Sequence, residues 1–169
     1  MSATPDPAIR DATAADWDAI WPIFRETVGA GETYAFAEEL TSEQAASLWL
    51  ERPPGRTVVL EEHGRLLGTA KMGPNHPDRG SHVGTASFMV APDTRGRGVG
   101  RRLGEHVVAW HREQGYRGIQ FNAVVETNTA AVRLWHALGF VTIGTVPGAF
   151  RSREHGYVGL HVMYLDLGR

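Results

Sequence analysis

Arginine and glycine alternate between Arg95 and Arg102 in a pattern that suits a bound phosphate. The run is Phe88-Met89-Val90-Ala91-Pro92-Asp93-Thr94-Arg95-Gly96-Arg97-Gly98-Val99-Gly100-Arg101-Arg102. Strand-forming apolar residues stop at Pro92, and an amphipathic helix opens near Gly98. Glycines at every second position remove the Cβ atoms that would hold a ligand off the backbone. The first N–H groups of a helix lack intrahelical partners, and the helix dipole favours an anion there. Arg95, Arg97, Arg101 and Arg102 add charge of the kind that best matches phosphate. The segment reads as a pyrophosphate cradle; the alternative is a solvated basic turn capped by glycine.

Spacing narrows the nucleotide. The dinucleotide fingerprint G-x-G-x-x-G fails, because Leu103 stands where the third glycine belongs. A phosphate-loop NTPase needs Gly-Lys-Ser/Thr at the helix start, which is absent. What remains is Arg95-x-x-Gly98-x-Gly100.

The elements that must position this loop follow from hydrophobic periodicity. Ile9–Ala12 reads as a strand, and Thr13 to Asp16 has the shape of a capping box. A helix then runs to about Val28 and buries Trp17, Ile20, Trp21 and Phe24. Gly29–Ala37 is a loop, and Thr41–Leu50 a second helix ended by Pro53-Pro54. Thr57–Glu61 and Arg65–Met72 form a hairpin around His63-Gly64. A polar connection, Gly73 to Gly80, leads to the strand Val83–Val90, which delivers the loop. The next helix runs from about Gly98 to Gln114, and the next strand is Gly118–Val124. Asn128 is the N-cap of the helix Thr129–Leu138, and Gly139 fits its C′ position. Phe140–Val146 and Tyr157–Leu167 are the last strands, separated by the polar stretch Pro147 to Gly156. The order β-α-α-β-β-β-α-β-α-β-β predicts a mixed α/β sheet with helices on both faces, in one domain spanning residues 1–169.

Composition fits a small intracellular enzyme. A chain of 169 residues is long enough to bury a real core. Met1 to Pro7 lacks the basic-then-apolar pattern of a signal peptide, and no apolar run approaches membrane-spanning length. A cytoplasmic protein without membrane partners is expected. The absence of cysteine excludes disulfides, thiolate metal sites and a cysteine nucleophile. A net charge of −2 argues against a nucleic-acid partner. The histidines form no His-Glu-x-x-His, and no metal is expected.

The loop and a second signature together resemble the GNAT superfamily of acyl-CoA-dependent N-acetyltransferases. The second signature is Asn128-Thr-Ala-Ala-Val-Arg-Leu134-Trp135-His136-Ala137-Leu138-Gly139-Phe140. The resemblance implies the GNAT fold, its sheet splayed between the fourth and fifth strands. It also implies acetyl-CoA as cosubstrate, held by the main chain at Met89 and Val90, by Arg95, Gly96, Arg97, Gly98, Val99, Gly100 and Arg101, and near Asn128. The Val90 amide would polarise the thioester carbonyl. Where many relatives carry an acidic tyrosine, this chain has Trp135, whose indole N–H donates a hydrogen bond but supplies no proton near neutral pH. Either another acid serves or none is required, since a thiol of pKa about 8.5 leaves tolerably well as thiolate.

A narrower resemblance lies in Pro74-Asn75-His76-Pro77 and Phe121-Asn122-x-x-x-Glu126-Thr127-Asn128. Both are similar to segments of yeast-type acetyltransferases that act on toxic proline analogues. The segment Glu32-Thr33-Tyr34-Ala35-Phe36 also has counterparts there and in phosphinothricin-type enzymes. The resemblance implies an acceptor pocket with Asn75 and Asn122 as catalytic and binding amides, closed by Glu32, Tyr34 and Phe36 and walled by Trp135; the residues alone equally allow Trp135 as core packing, and Asn75 as a turn residue. Asn122 reads as a buried amide in need of partners. His76, His82 and Glu126 are candidate proton acceptors. The expected acceptor is a small amine, an amino acid or its analogue. Two rivals stay open: a protein N-terminal acetyltransferase and a non-catalytic acyl-CoA-binding module. Relatives are commonly homodimers.

Overall fold

The computed structural model describes residues 7–168. Its strands and helices run β1 (Ala8–Asp11), α1 (Trp17–Ala30), α2 (Ser42–Trp49), β2 (Arg56–Glu62), β3 (Arg65–Pro74), β4 (Val83–Val90), α3 (Val99–Glu113), β5 (Gly118–Val125), α4 (Thr129–Ala137), β6 (Val141–Ser152) and β7 (Gly156–Asp166). This is the order expected from the sequence. Thr13 N–H donates to Asp16 Oδ2 at 2.7 Å, the backward half of the expected box ahead of α1. Thr41 and Gln44 bond each other's backbone N–H at the start of α2.

The strands form one seven-stranded sheet in the order β1-β2-β3-β4-β5-β7-β6. Every pair is antiparallel except β4 and β5, which run parallel and meet only at Val83 with Gly118 and Gly84 with Ile119. Beyond those two rungs the strands part, as the resemblance implied. Backbone alternation decides which groups face the opening. Ala91 N–H donates to Leu67 C=O, and Asn75 N–H to Val83 C=O, so odd-numbered residues of β4 turn their polar groups toward β3. Ala86, Phe88 and Val90 therefore turn theirs into the gap.

Helices cover both faces, also as expected. On one, Trp17, Ile20, Phe24 and Trp49 of α1 and α2 pack on Val59, Leu66 and Met89. On the other, Leu103, Val107 and Trp110 of α3 and Trp135 of α4 pack on Leu60, Ala70, Phe121 and Met163. Gly68 lets α3 approach β3 closely: a Cβ there would lie 2.9 Å from Val99 Cγ1 and 3.0 Å from the Met89 carbonyl. That approach seats the N-terminus of α3 beside the end of β4.

Three expectations need correction. Trp21 is half-buried, and Ile23 and Val28 join Trp17, Ile20 and Phe24 in the core instead. The stretch Pro147–Gly156 is not a long loop. β6 continues to Ser152, and Pro147, Gly148 and Ala149 form an irregularity in its pairing with β7. Asn122 is exposed, not buried, because the β5–β7 register slips between Phe121 and Val124 and turns it out of the core.

Candidate active site

One cavity of about 960 Å³ runs from the glycine-rich loop along the open edge of β4. At one end lie Arg95, Gly96, Gly98, Val99, Gly100 and Arg101. Gly98 is the N-cap of α3 in the left-handed region, with φ 74°. A Cβ at Gly96 or Gly98 would meet nothing within 4 Å, so the bare backbone faces open space. The first helical bond runs from Arg102 N–H to Gly98 C=O, leaving the Val99, Gly100 and Arg101 N–H groups ahead of it. Donors, dipole and cavity coincide, and a pyrophosphate fits.

The arginines divide. Arg95 and Arg101 line the cavity, although Arg101 also pairs with Glu105 at 2.9 Å. Arg97 is not brought to the cavity lining; its guanidinium pairs with Glu62 at 2.6 Å, which holds the Glu62 carboxyl below its ordinary range. Arg102 reaches the Pro7 carbonyl at 2.6 Å.

The middle of the cavity is the gap between β4 and β5. Val90 presents its edge groups there, whereas the Met89 side chain is buried in the α1–α2 core and its main chain pairs with Thr69. Trp135 is both wall and core: 7% exposed, with its ring centroid 4.6 Å from that of Phe88 and 4.9 Å from that of Phe121. Asn128 Oδ1 accepts from Ala131 N–H at 3.3 Å, capping α4 at the rim of the cavity.

The far end is built by two segments distant in sequence. The α1–α2 connection brings Glu32, Thr33 and Tyr34; the tip of the β6–β7 hairpin brings Glu154 and His155. Glu32 ties the two together. Its Oε2 accepts from Ser152 Oγ at 2.6 Å and its Oε1 from Glu154 N–H at 2.9 Å. These donors lower the pKa of the Glu32 carboxyl, the Ser152 bond most. The Tyr34 hydroxyl donates to Phe88 C=O at 2.6 Å and accepts from Phe88 N–H at 2.8 Å. Phe36 stacks behind Tyr34, ring centroids 5.4 Å apart, and is not part of the lining.

Asn75 and Asn122 bond to each other, Asn122 Nδ2 donating to Asn75 Oδ1 at 2.7 Å. Asn122 lines the cavity and Asn75 stands behind it. His76 and His82 are exposed and lie outside the lining. The Glu126 carboxylate accepts from Gly159 N–H and so supports the turn into α4. The sequence reading did not single out Ser87, Thr85, Glu154 or His155, which also line the cavity. Alternation along β4 would have placed Thr85 and Ser87 on the Met89 side of the strand; nothing local marks His155. Among the described residues no group of potential metal ligands is present, and no helix is long and apolar enough to cross a membrane.

Comparison with known proteins agrees with this geometry. Residues 17–140 match the model of the Acetyltransferase (GNAT) family. The N-acetyltransferase aca1 of Schizosaccharomyces pombe is 33% identical over 111 residues, covering 65% of this chain and 53% of that protein. This chain thus spans about half the length of that relative. An L-methionine sulfoximine/L-methionine sulfone acetyltransferase of Pseudomonas paraeruginosa is 31% identical over 147 residues, 83% of each chain. A GCN5-related N-acetyltransferase from Kribbella flavida superposes with a TM-score of 0.93 at 58% identity, covering 95% of this chain and 98% of its own. The yncA acetyltransferase of Salmonella typhimurium, solved with acetyl-CoA, gives 0.81 at 25% identity over 98% and 96%. The chain belongs to the Acetyltransferase (GNAT) family.

Proposed function

We propose that this enzyme acetylates the amino group of a small amine, an amino acid or a toxic amino-acid analogue. The observation that carries the reading is the Glu32 clasp. By fixing the hairpin tip to the α1–α2 connection it walls the acceptor end of the cavity, which suits a small molecule better than an extended peptide. The Asn75–Asn122 amides support an acceptor bearing a carboxylate, since each retains a second N–H beyond their mutual bonds. The name of the methionine sulfoximine relative points the same way.

In this reading the loop holds the pyrophosphate of acetyl-CoA, and the Val90 main chain pairs with the arm. The bound cosubstrate supplies an activated acetyl group. The chain's own residues align donor and acceptor, and that alignment provides much of the rate. Trp135 closes the side of the gap and excludes water from the thioester. Asn122, with Asn75 behind it, orients the acceptor. A cytoplasmic, detoxifying role goes with such an acceptor. Val141, Ile143 and Val146 on edge strand β6 are 56%, 59% and 53% exposed, which supports a homodimer formed through that strand; light scattering should give twice the chain mass.

The test is steady-state turnover, following CoA release, with methionine sulfoximine, azetidine-2-carboxylate, cis-4-hydroxyproline and phosphinothricin beside simple amines and amino-terminal peptides. Turnover confined to peptides, or none at all, would end this reading.

A further inference from the structure

Phe88 is the second residue to meet a chain that leaves the glycine-rich loop and follows the open edge of β4. Val90 comes first, and the repeat of the strand puts the Phe88 groups about 7 Å farther along. The α1–α2 connection reaches the strand at this level, because the Tyr34 hydroxyl bonds Phe88, and Glu32 and His155 line the same cavity. A thioester carbonyl at this level faces the Phe88 N–H. The Tyr34 hydroxyl is already on that N–H, at 2.8 Å, and its own hydrogen points to the Phe88 carbonyl.

We propose that Tyr34 is a catalytic residue, its O–H and the Phe88 N–H forming a two-donor oxyanion hole for acetyl transfer. The inference rests on acetyl-CoA being the donor, and it moves the polarising role expected of Val90 two residues along the strand. As the thioester oxygen takes the Phe88 N–H, the hydroxyl turns its hydrogen from the Phe88 carbonyl to that oxygen. The acceptor nitrogen adds to the acetyl carbon, and the C=O π pair moves to oxygen, where both donors meet the developing charge. The pair then returns, the C–S bond breaks with its electrons on sulfur, and the nitrogen loses one proton to solvent.

Packing holds the hydroxyl in place. The Tyr34 ring stacks on Phe36 and meets Trp49 edge-on at 6.3 Å between centroids. Burial pushes the phenol pKa up, so the group remains an O–H donor throughout the working pH range. The tyrosine supplies no proton to the departing thiolate.

Tyr34→Phe keeps the ring and removes the donor. In infrared difference spectra of bound acetyl-CoA carrying a 13C-labelled carbonyl, the thioester band should lie lower in the wild type than in the variant. With any amine the wild type acetylates, kcat should fall about a hundredfold, while the Kd for CoA changes less than threefold. Incorporating 3-fluorotyrosine at position 34, a stronger donor of nearly the same size, should lower the band further and provides the same reading if the phenylalanine variant folds poorly. Equal band positions, or a kcat within threefold of wild type, would overturn the proposal. Failure of the wild type to bind acetyl-CoA would overturn the donor assignment with it. Binding with a shifted band but no turnover of amino-acid analogues would refute only the acceptor class.

Discussion

Asn75 and Asn122 exchange both of their amide hydrogen bonds, at 2.7 and 3.3 Å, although 47 residues separate them. Gln120 Nε2 adds a third bond to Asn122 Oδ1 at 2.8 Å. The link spans β4, joining the end of β3 to the bulge of β5 at the mouth of the gap.

Removing either amide should therefore act on the acceptor and not on the donor. Hydrogen bonds to charged groups are worth about 1.5–3 kcal/mol. Asn122→Ala and Asn75→Ala should each lower kcat/KM for the amine by roughly ten- to a hundredfold, with acetyl-CoA affinity unchanged by calorimetry. Because the two act as one unit, the double variant should fall little below the worse single one.

Gly98→Asp tests the cradle. The left-handed backbone at φ 74° admits aspartate with modest strain, and the added side chain enters open space, so the fold should survive. A carboxylate at the start of α3 repels pyrophosphate. Acetyl-CoA affinity should drop at least about a hundredfold by titration calorimetry, by loss of the donors and charge that favour an anion there. Arg97→Ala should cost far less, since Glu62 already holds that guanidinium.

If thiolate departs without a dedicated acid, Trp135→Phe should keep kcat within roughly tenfold of wild type. Losses should appear as a lower melting temperature. The indole fills the space over Gly104, where a Cβ would lie 3.1 Å from Trp135 Cζ3.

Glu32→Gln should raise KM for the amine more than it lowers kcat, by releasing the hairpin tip. Its effect on stability carries a pH signature. The folded-state pKa is lowered, so the stabilisation is complete above the ordinary carboxylate value, about 4.3, and disappears as pH falls through the folded value. The difference in melting temperature between wild type and variant should be largest near pH 7 and shrink below pH 4.

Elements were legible where side chains repeat at the period of their backbone, as in α3 with Leu103, Val107 and Trp110 buried on one face. The loop was legible because glycine and arginine act there through backbone and charge, independent of distant partners. What escaped depends on pairing across sequence. Glu62 takes Arg97 from 35 residues away, and Tyr34 finds Phe88 from 54. Asn122 looked buried because its neighbours Phe121 and Val124 are; a bulge breaks the two-residue repeat without leaving a mark in composition. Pro147 and Gly148 carry the signature of a turn, yet the ladder absorbs them and resumes at Phe150.

The two-rung contact between β4 and β5 gives the strand a divided exchange behaviour. Ser87 and Met89 amide protons are locked to β3 and should exchange with deuterium on the timescale of global opening, while Val90, one residue on, faces the gap and should exchange early. Phe88 should lie between them, shielded by one tyrosine hydroxyl. Slow and fast neighbours within four residues make β4 a readout of occupancy: a ligand lying along the gap would erase the alternation without moving the strand.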